Sequence, residues 1–436
     1  MYLANSRAAD QATRRVGGTP RWHRVPPNVL ALGVVSLVTD ISAEMVTAVL
    51  PLYLVLGLGL NPLQFGLLDG LYAGSTALLR LVGGHAADRW RRLKTVAGIG
   101  YALSAVCKLG LLAAGSSVAA IGAVLAVDRA GKGIRTAPRD ALISLSSSPE
   151  TLGRSFGVHR ALDTFGAFLG PLVAVAVLWA SLGSYDAVFV FSFCIAGCGV
   201  LLLVLLVKDH RPPSAQPTGV RGRPASSPPP SGGEAGEARE PVPLRTMLGL
   251  LRISSFRRCC VWAAGLGLVT ITDSFVYLAL QRRWEIESTW FPLLALGTAG
   301  SFLLLAVPLG RLADRVGRWK VFLAGHAALV VALLLICGPA TSPWIAVVAL
   351  ALHGCFYAAT DGVLPATAGP LLPEHLRASG LALLQTGQAL ARMVSAVLVG
   401  LAWTLWDLRP ALIATTAALL VVTLAAAAFK PWEVKR

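Results

Sequence analysis

The sequence predicts an all-α polytopic membrane protein, with twelve transmembrane helices in two six-helix bundles around a central cavity. Three observations lead there. Hydrophobic residues make up 55% of the 436 positions and charged residues only 14%, with a mean hydropathy of +0.67; a water-soluble fold cannot bury that much apolar surface. About twelve stretches are long and apolar enough to cross a hydrocarbon layer of roughly 30 Å. A motif also returns about half a chain later, at equivalent places between apolar stretches. Gly84-His85-Ala86-Ala87-Asp88-Arg89-Trp90-Arg91-Arg92-Leu93-Lys94 and Gly310-Arg311-Leu312-Ala313-Asp314-Arg315-Val316-Gly317-Arg318-Trp319-Lys320 both read G-x-x-A-D-R-x-x-R-x-K, which points to a duplicated membrane protein.

In the first half, spans are expected near Val29–Leu56, Leu63–Ala87, Thr95–Ala114, Val118–Ala137, Phe156–Ala180 and Ala187–Val207. The first carries Asp40 and Glu44, four residues apart and therefore on one helical face, flanked by Thr39 and Thr47. The second carries Asp69, Tyr72, Thr76 and Arg80 along a stripe. At the end of the fourth, Asp128, Lys132, Arg135 and Arg139 share a face; cations so close to a helix end also suit snorkelling to lipid headgroups, whereas Arg129 lies deeper. The fifth holds His159, Arg160 and Asp163, with His159 and Asp163 spaced to meet, followed by Gly166, Gly170 and Pro171. Small residues at that spacing permit close helix contact, and the proline removes a backbone donor.

Arg211–Pro243 is rich in Pro, Gly, Ser and charge and cannot bury a core, so it reads as a linker. The expected organisation is a tail at 1–28, a six-helix bundle at 29–207, a linker at 208–258, a second bundle at 259–429 and a tail at 430–436. The second bundle has expected spans near Cys259–Leu280, Thr289–Leu309, Val321–Cys337, Trp344–Pro365, Ser379–Leu405 and Ala411–Phe429. Thr272-Asp273 in the seventh span echoes Thr39-Asp40 in the first. His353, Tyr357 and Asp361 form a ladder on the tenth span, and Gln385, Gln388 and Arg392 line one face of the eleventh. Trp284, Trp290, Trp344, Trp403 and Trp406 fall at span ends and read as an interfacial belt. Asp40 and Asp273 also suit buried ion pairs that fix packing, but near mid-span such groups are costly.

The net charge of +16 is unevenly placed. Both tails, the linker and the loops holding Arg89, Arg139 and Arg315 are basic, whereas the six opposite loops hold only Arg282, Arg283 and Arg409. By the positive-inside rule both termini and the linker are expected to be cytoplasmic, so the charge reports topology and no nucleic-acid partner is expected. The seven cysteines lie in apolar runs without a C-x-x-C pair and read as small buried hydrophobes. The polar, basic N-terminus has no apolar core and no secretory signal is expected. No phosphate-binding loop, nucleophile elbow, metal cluster or haem motif is present, so neither an enzyme activity nor a cofactor nor a metal is expected.

The repeated motif resembles the loop between the second and third helices of the major facilitator superfamily, and its echo between the eighth and ninth. The resemblance implies that Asp88, Arg89, Arg92, Asp314, Arg315 and Arg318 form gating loops, each aspartate lying near the start of a helix in the other half. Leu125, Arg129 and Gly133 resemble the superfamily's fourth-helix motif, with Lys132 in the glutamine place; the resemblance ties Arg129 to proton transfer. Gly166-x-x-x-Gly170-Pro171 resembles the fifth-helix motif of facilitator antiporters, followed here by Ala174-Val175. The stretches Val38–Met45 and Gly131–Asp140 look like a prokaryotic subgroup whose substrates are generally unassigned.

The expected function is secondary active transport by alternating access, as proton-coupled efflux of a small molecule by antiport. Asp40, Glu44, Arg129, Lys132, Arg160, Asp163, Asp273, His353, Asp361 and Arg392 are expected to line the cavity and bind solute and proton. Import of an anionic metabolite or metal chelate is the alternative, favoured if Arg129, Arg160 and Arg392 all face the cavity. A non-transporting sensor or scaffold has no need of mid-span charge. A monomer in the plasma (inner) membrane is expected, its partners being the solute, protons and lipid.

Overall fold

The computed structural model describes residues 25–72, 74–75, 93–147, 152–209, 244–340, 342–373 and 376–428. Asp88, Arg89, Arg92, Thr76 and Arg80, residues 1–24 and 429–436, and the core of the linker lie outside them. The described residues are helical, without a strand. They form α1 (Pro27–Leu52), α2 (62–72), α3 (Leu93–Ala113), α4 (Val118–Leu145), α5 (Leu152–Ala180) and α6 (Tyr185–Leu206). The second half contains α7 (Ser254–Val269), α8 (Asp273–Trp284), α9 (Pro292–Val316), α10 (Arg318–Cys337), α11 (Pro343–Thr360), α12 (Val363–Ala368), α13 (Arg377–Trp406) and α14 (Leu408–Ala428). Ten described helical stretches are long and apolar enough to cross a membrane. The second expected span runs into undescribed residues, and α4 carries too many charges to pass as an apolar span.

The duplication is visible in the packing. α1 packs on α5 and α6, and α3 on α4 and α6; half a chain later α7 packs on α13 and α14, and α10 on α11 and α14. Ser42 and Ser192 clasp α1 to α6, each hydroxyl donating to the other's carbonyl at 2.7 Å. Gly166 and Gly170 lie on α1: a Cβ on Gly170 would sit 2.6 Å from the Glu44 Cβ and 3.0 Å from the Ile41 carbonyl oxygen.

The two halves meet along a seam between α2 and α13. A Cβ on Gly70 would lie 2.7 Å from the Met393 carbonyl oxygen, Gly66 sits against the Ala396 carbonyl, and Gly400 against that of Pro62. The Leu63 amide donates to Thr404 Oγ1 at 3.0 Å, and Phe65 packs edge-on against Phe275 at 5.0 Å. α5 also contacts α9 across the halves.

Several sequence expectations are corrected. The fourth span does not stop at Ala137; α4 continues through Pro138 to Leu145, because Leu142 and Ile143 are fully buried against α1, α3 and α6, which offsets the lost hydrogen bond at the proline. The seventh span is not one helix. It breaks at Thr270–Thr272, where Thr270 and Thr272 are extended. The freed Thr270 carbonyl accepts from Ser395 at 2.8 Å, and Thr272 Oγ1 donates across the halves to Asp69 at 2.7 Å. The tenth span breaks at Asp361-Gly362. Trp403 is not a belt residue: it is buried against Phe275, whereas Trp290, Trp344 and Trp406 are exposed. Cys194 and Cys198 are exposed on α6 rather than buried.

Candidate solute and proton site

α4 supplies one edge of the interior. Its sequence places a charge on nearly every turn from Asp128 to Arg139, and Asp128, Arg129, Arg135 and Arg139 find partners on neighbouring helices or beside them. Asp128 accepts from Ser104 Oγ at 2.5 Å and from its neighbour Arg129. Lys108, buried on α3, lies 4.0 Å from the same carboxylate and donates to the Ser104 carbonyl at 2.9 Å. The Arg129 guanidinium stacks 4.0 Å above the Tyr72 ring, and the Tyr72 hydroxyl is 2.9 Å from that of Thr47. Lys132 and Glu44, both half-buried, form no ion pair among the described residues.

One turn on, Arg135 is 3.5 Å from Asp40 and 4.4 Å above Tyr101. Arg139 is 3.6 Å from Asp163 and 3.0 Å from Asp140. The carboxyl groups of Asp40 on α1 and Asp163 on α5 are within hydrogen-bonding reach of each other. Four groups from three helices thus form one network: two carboxyls in contact, each with its own arginine.

Asp40 turns to Arg135 and Asp163 rather than to Glu44 or Arg129. Arg135, with 4% of its side chain exposed, is not snorkelling; the carboxylate beneath it holds it inside. His159 does not bond to Asp163; it is 2.9 Å from Ser36 on α1. The Arg160 side chain is 77% exposed and, among the described residues, pairs with Asp163 alone, at 3.3 Å.

In the second half, Asp273 opens α8 at the break in the seventh span. It accepts from the Tyr357 hydroxyl and lies 3.4 Å from His353 Nε2, while His353 Nδ1 is 3.2 Å from Thr298 Oγ1. The ladder on α11 therefore divides: His353 and Tyr357 converge on Asp273, and Asp361 points elsewhere, into a cavity of ≈ 390 Å³ shared with Gln385, Gln388 and Arg392. The Arg392 guanidinium lies 5.9 Å over the Tyr357 ring. Of the gating residues, Arg318 donates to Asp314 at 3.0 and 2.9 Å and to the Ala366 carbonyl at 2.7 Å, so Asp314 is held within its own half; Arg315 forms no ion pair among the described residues.

Lys108 was missed in the sequence, although a lone lysine in the third apolar stretch is itself a signal. Asp69 was visible as a polar residue, but its partner across the halves was not.

The family model described as the Major Facilitator Superfamily matches residues 32–305 and 284–435. An uncharacterized MFS-type transporter of Methanocaldococcus jannaschii is 28% identical over 383 residues, 86% of this chain and 88% of that protein. An uncharacterized protein of Mycobacterium bovis is 34% identical over 203 residues, covering 47% of this chain and 49% of its own length. Among solved structures, the nucleoside transporter NupG superposes with a TM-score of 0.73 at 14% identity, covering 93% of this chain and 99% of that one. A peptide transporter POT in complex with sulfate superposes with a TM-score of 0.71 at 15% identity, covering 93% and 94%.

Proposed function

The chain belongs to the major facilitator superfamily, and from that premise we propose that it is a secondary active transporter that moves a small polar solute by alternating access, driven by protons. One observation carries the coupling: the contact between Asp40 and Asp163, each beside its own arginine. Two carboxyl groups that touch need a proton between them, and like charges so close resist joint ionisation. The groups come from α1, α4 and α5, so a change in how these helices meet alters proton affinity. That is what coupling requires.

The Gly166-x-x-x-Gly170-Pro171 resemblance supports antiport, hence efflux. A second reading, import of an anionic metabolite or metal chelate, is favoured by the two cations Lys108 and Arg129 that share the acid Asp128. The protein acts as a monomer in the plasma (inner) membrane, both termini cytoplasmic, with solute, protons and lipid as its partners and without cofactor or metal. In this orientation the α2–α13 seam closes the outer face, and the Asp361–Arg392 cavity opens toward the cytoplasm.

The test is a panel of labelled solutes in inverted vesicles with an imposed pH gradient. Accumulation of at least one solute that collapses when the gradient is dissipated is expected. Gradient-independent behaviour of every solute, with folded protein in the vesicles, contradicts the proposal.

A further inference from the structure

The ≈ 390 Å³ cavity beside α12 and α13 is not used by the proton site. Its polar groups are few and of opposite kinds. Gln385, Gln388 and Arg392 come from one face of α13, at i, i+3 and i+7. Asp361 comes from the break that ends α11. The apolar lining is Leu364 and Pro365 of α12 and, on the same α13 face, Ala389.

Three observations limit what this space accepts. Asp273, the nearby acid, is already engaged by Tyr357 and His353, so Asp361 is the carboxylate that faces the cavity. Arg392 Nε is buried without a hydrogen-bond partner among the described residues. Asp361 and Arg392 line the same cavity yet form no ion pair among the described residues. A solute with one charge matches one of these groups and leaves the other without a counter-charge; for the buried Arg392 Nε that is costly. A solute with both charges satisfies both. At about 30 Å³ per water the space corresponds to roughly a dozen waters, the size of a compact metabolite.

We propose that this cavity is a solute subsite for a small zwitterion with an apolar body, of the α-amino acid type. Its carboxylate is taken by Arg392, its ammonium by Asp361, and its side chain by Leu364, Pro365 and Ala389; Gln385 and Gln388 complete the hydrogen bonds. The Tyr357 ring beneath Arg392 holds the guanidinium in place. The assignment rests on the transport reading above and names its substrate class.

The test uses the purified full-length protein in detergent and follows the thermal unfolding midpoint against added ligand. The probes are leucine and phenylalanine, each with its N-acetyl derivative (anion only) and its amide (cation only). Each zwitterion is expected to reach half-saturation at a concentration at least about tenfold lower than either derivative, since a charge-assisted hydrogen bond contributes that much. Arg392→Gln should remove the advantage of the zwitterion over its amide, and Asp361→Asn its advantage over the N-acetyl form. The wild-type comparison needs no variant to fold. If neither zwitterion protects better than its one-charge derivatives, the assignment is overturned. Should vesicles then still accumulate another solute under a pH gradient, only the substrate class falls; should they accumulate none, the transport reading falls with it.

Discussion

The α2–α13 seam offers the sharpest perturbation. Gly70 faces the Met393 carbonyl so closely that a methyl group would sit 2.7 Å from its oxygen. A relaxed carbon–oxygen approach is about 3.3–3.6 Å, and the obstacle is backbone that cannot rotate away. Gly70→Ala must therefore push the halves apart by several tenths of an ångström or distort one helix. Overpacking of this kind costs about 1–3 kcal/mol. The cost applies only where the seam is closed, so the balance between the two conformers should move about five- to 150-fold toward the open seam. Spin labels on Asn61→Cys and Arg409→Cys, both exposed and on opposite halves, report the separation of the halves in a chain freed of its seven native cysteines. A new population at longer distance is expected, with folded yield unchanged. An unchanged distance distribution together with wild-type turnover would refute the rigid-seam argument.

Asp69→Ala removes the acceptor that Thr272 uses across the halves at 2.7 Å; a loss of about 1 kcal/mol should give roughly a fivefold shift on the same spin pair, and no shift would mean the bond does not latch the seam. Asp314→Asn keeps an oxygen acceptor for Arg318 but removes the charge of an exposed ion pair, so its stability should fall by less than about 1 kcal/mol while transport drops; wild-type turnover in this variant and in Asp88→Asn would remove the gating role. Replacing 213–241 of the linker by a Gly/Ser chain of equal length should leave transport nearly unchanged, and complete loss would show that the segment binds something.

Much of the architecture was legible because it follows from composition and repetition: long apolar runs, a motif in duplicate, and basic residues on alternate loops. Helix breaks were less legible. Thr270 to Thr272 reads as part of an apolar span, and only the bonds from Ser395 and to Asp69 show why an interruption is tolerated there. Pro138 misled in the opposite direction, since burial of Leu142 and Ile143 holds the helix together beyond it. Spacing along one helix identified charged faces but not partners: Asp40 and Glu44 share a face, yet Asp40 meets groups on α4 and α5. Partners across helices depend on packing, which periodicity does not encode.

The central claim is that protons drive transport through the Asp40–Asp163 contact. It is tested most directly by solute exchange and gradient-driven uptake, measured side by side in vesicles containing wild type, Asp40→Asn, Asp163→Asn and Glu44→Gln. The account predicts that Asp40→Asn or Asp163→Asn abolishes the response to the pH gradient while preserving exchange, and that Glu44→Gln keeps both. If Asp40→Asn and Asp163→Asn follow the gradient as wild type does, the proton site lies elsewhere and the account is contradicted.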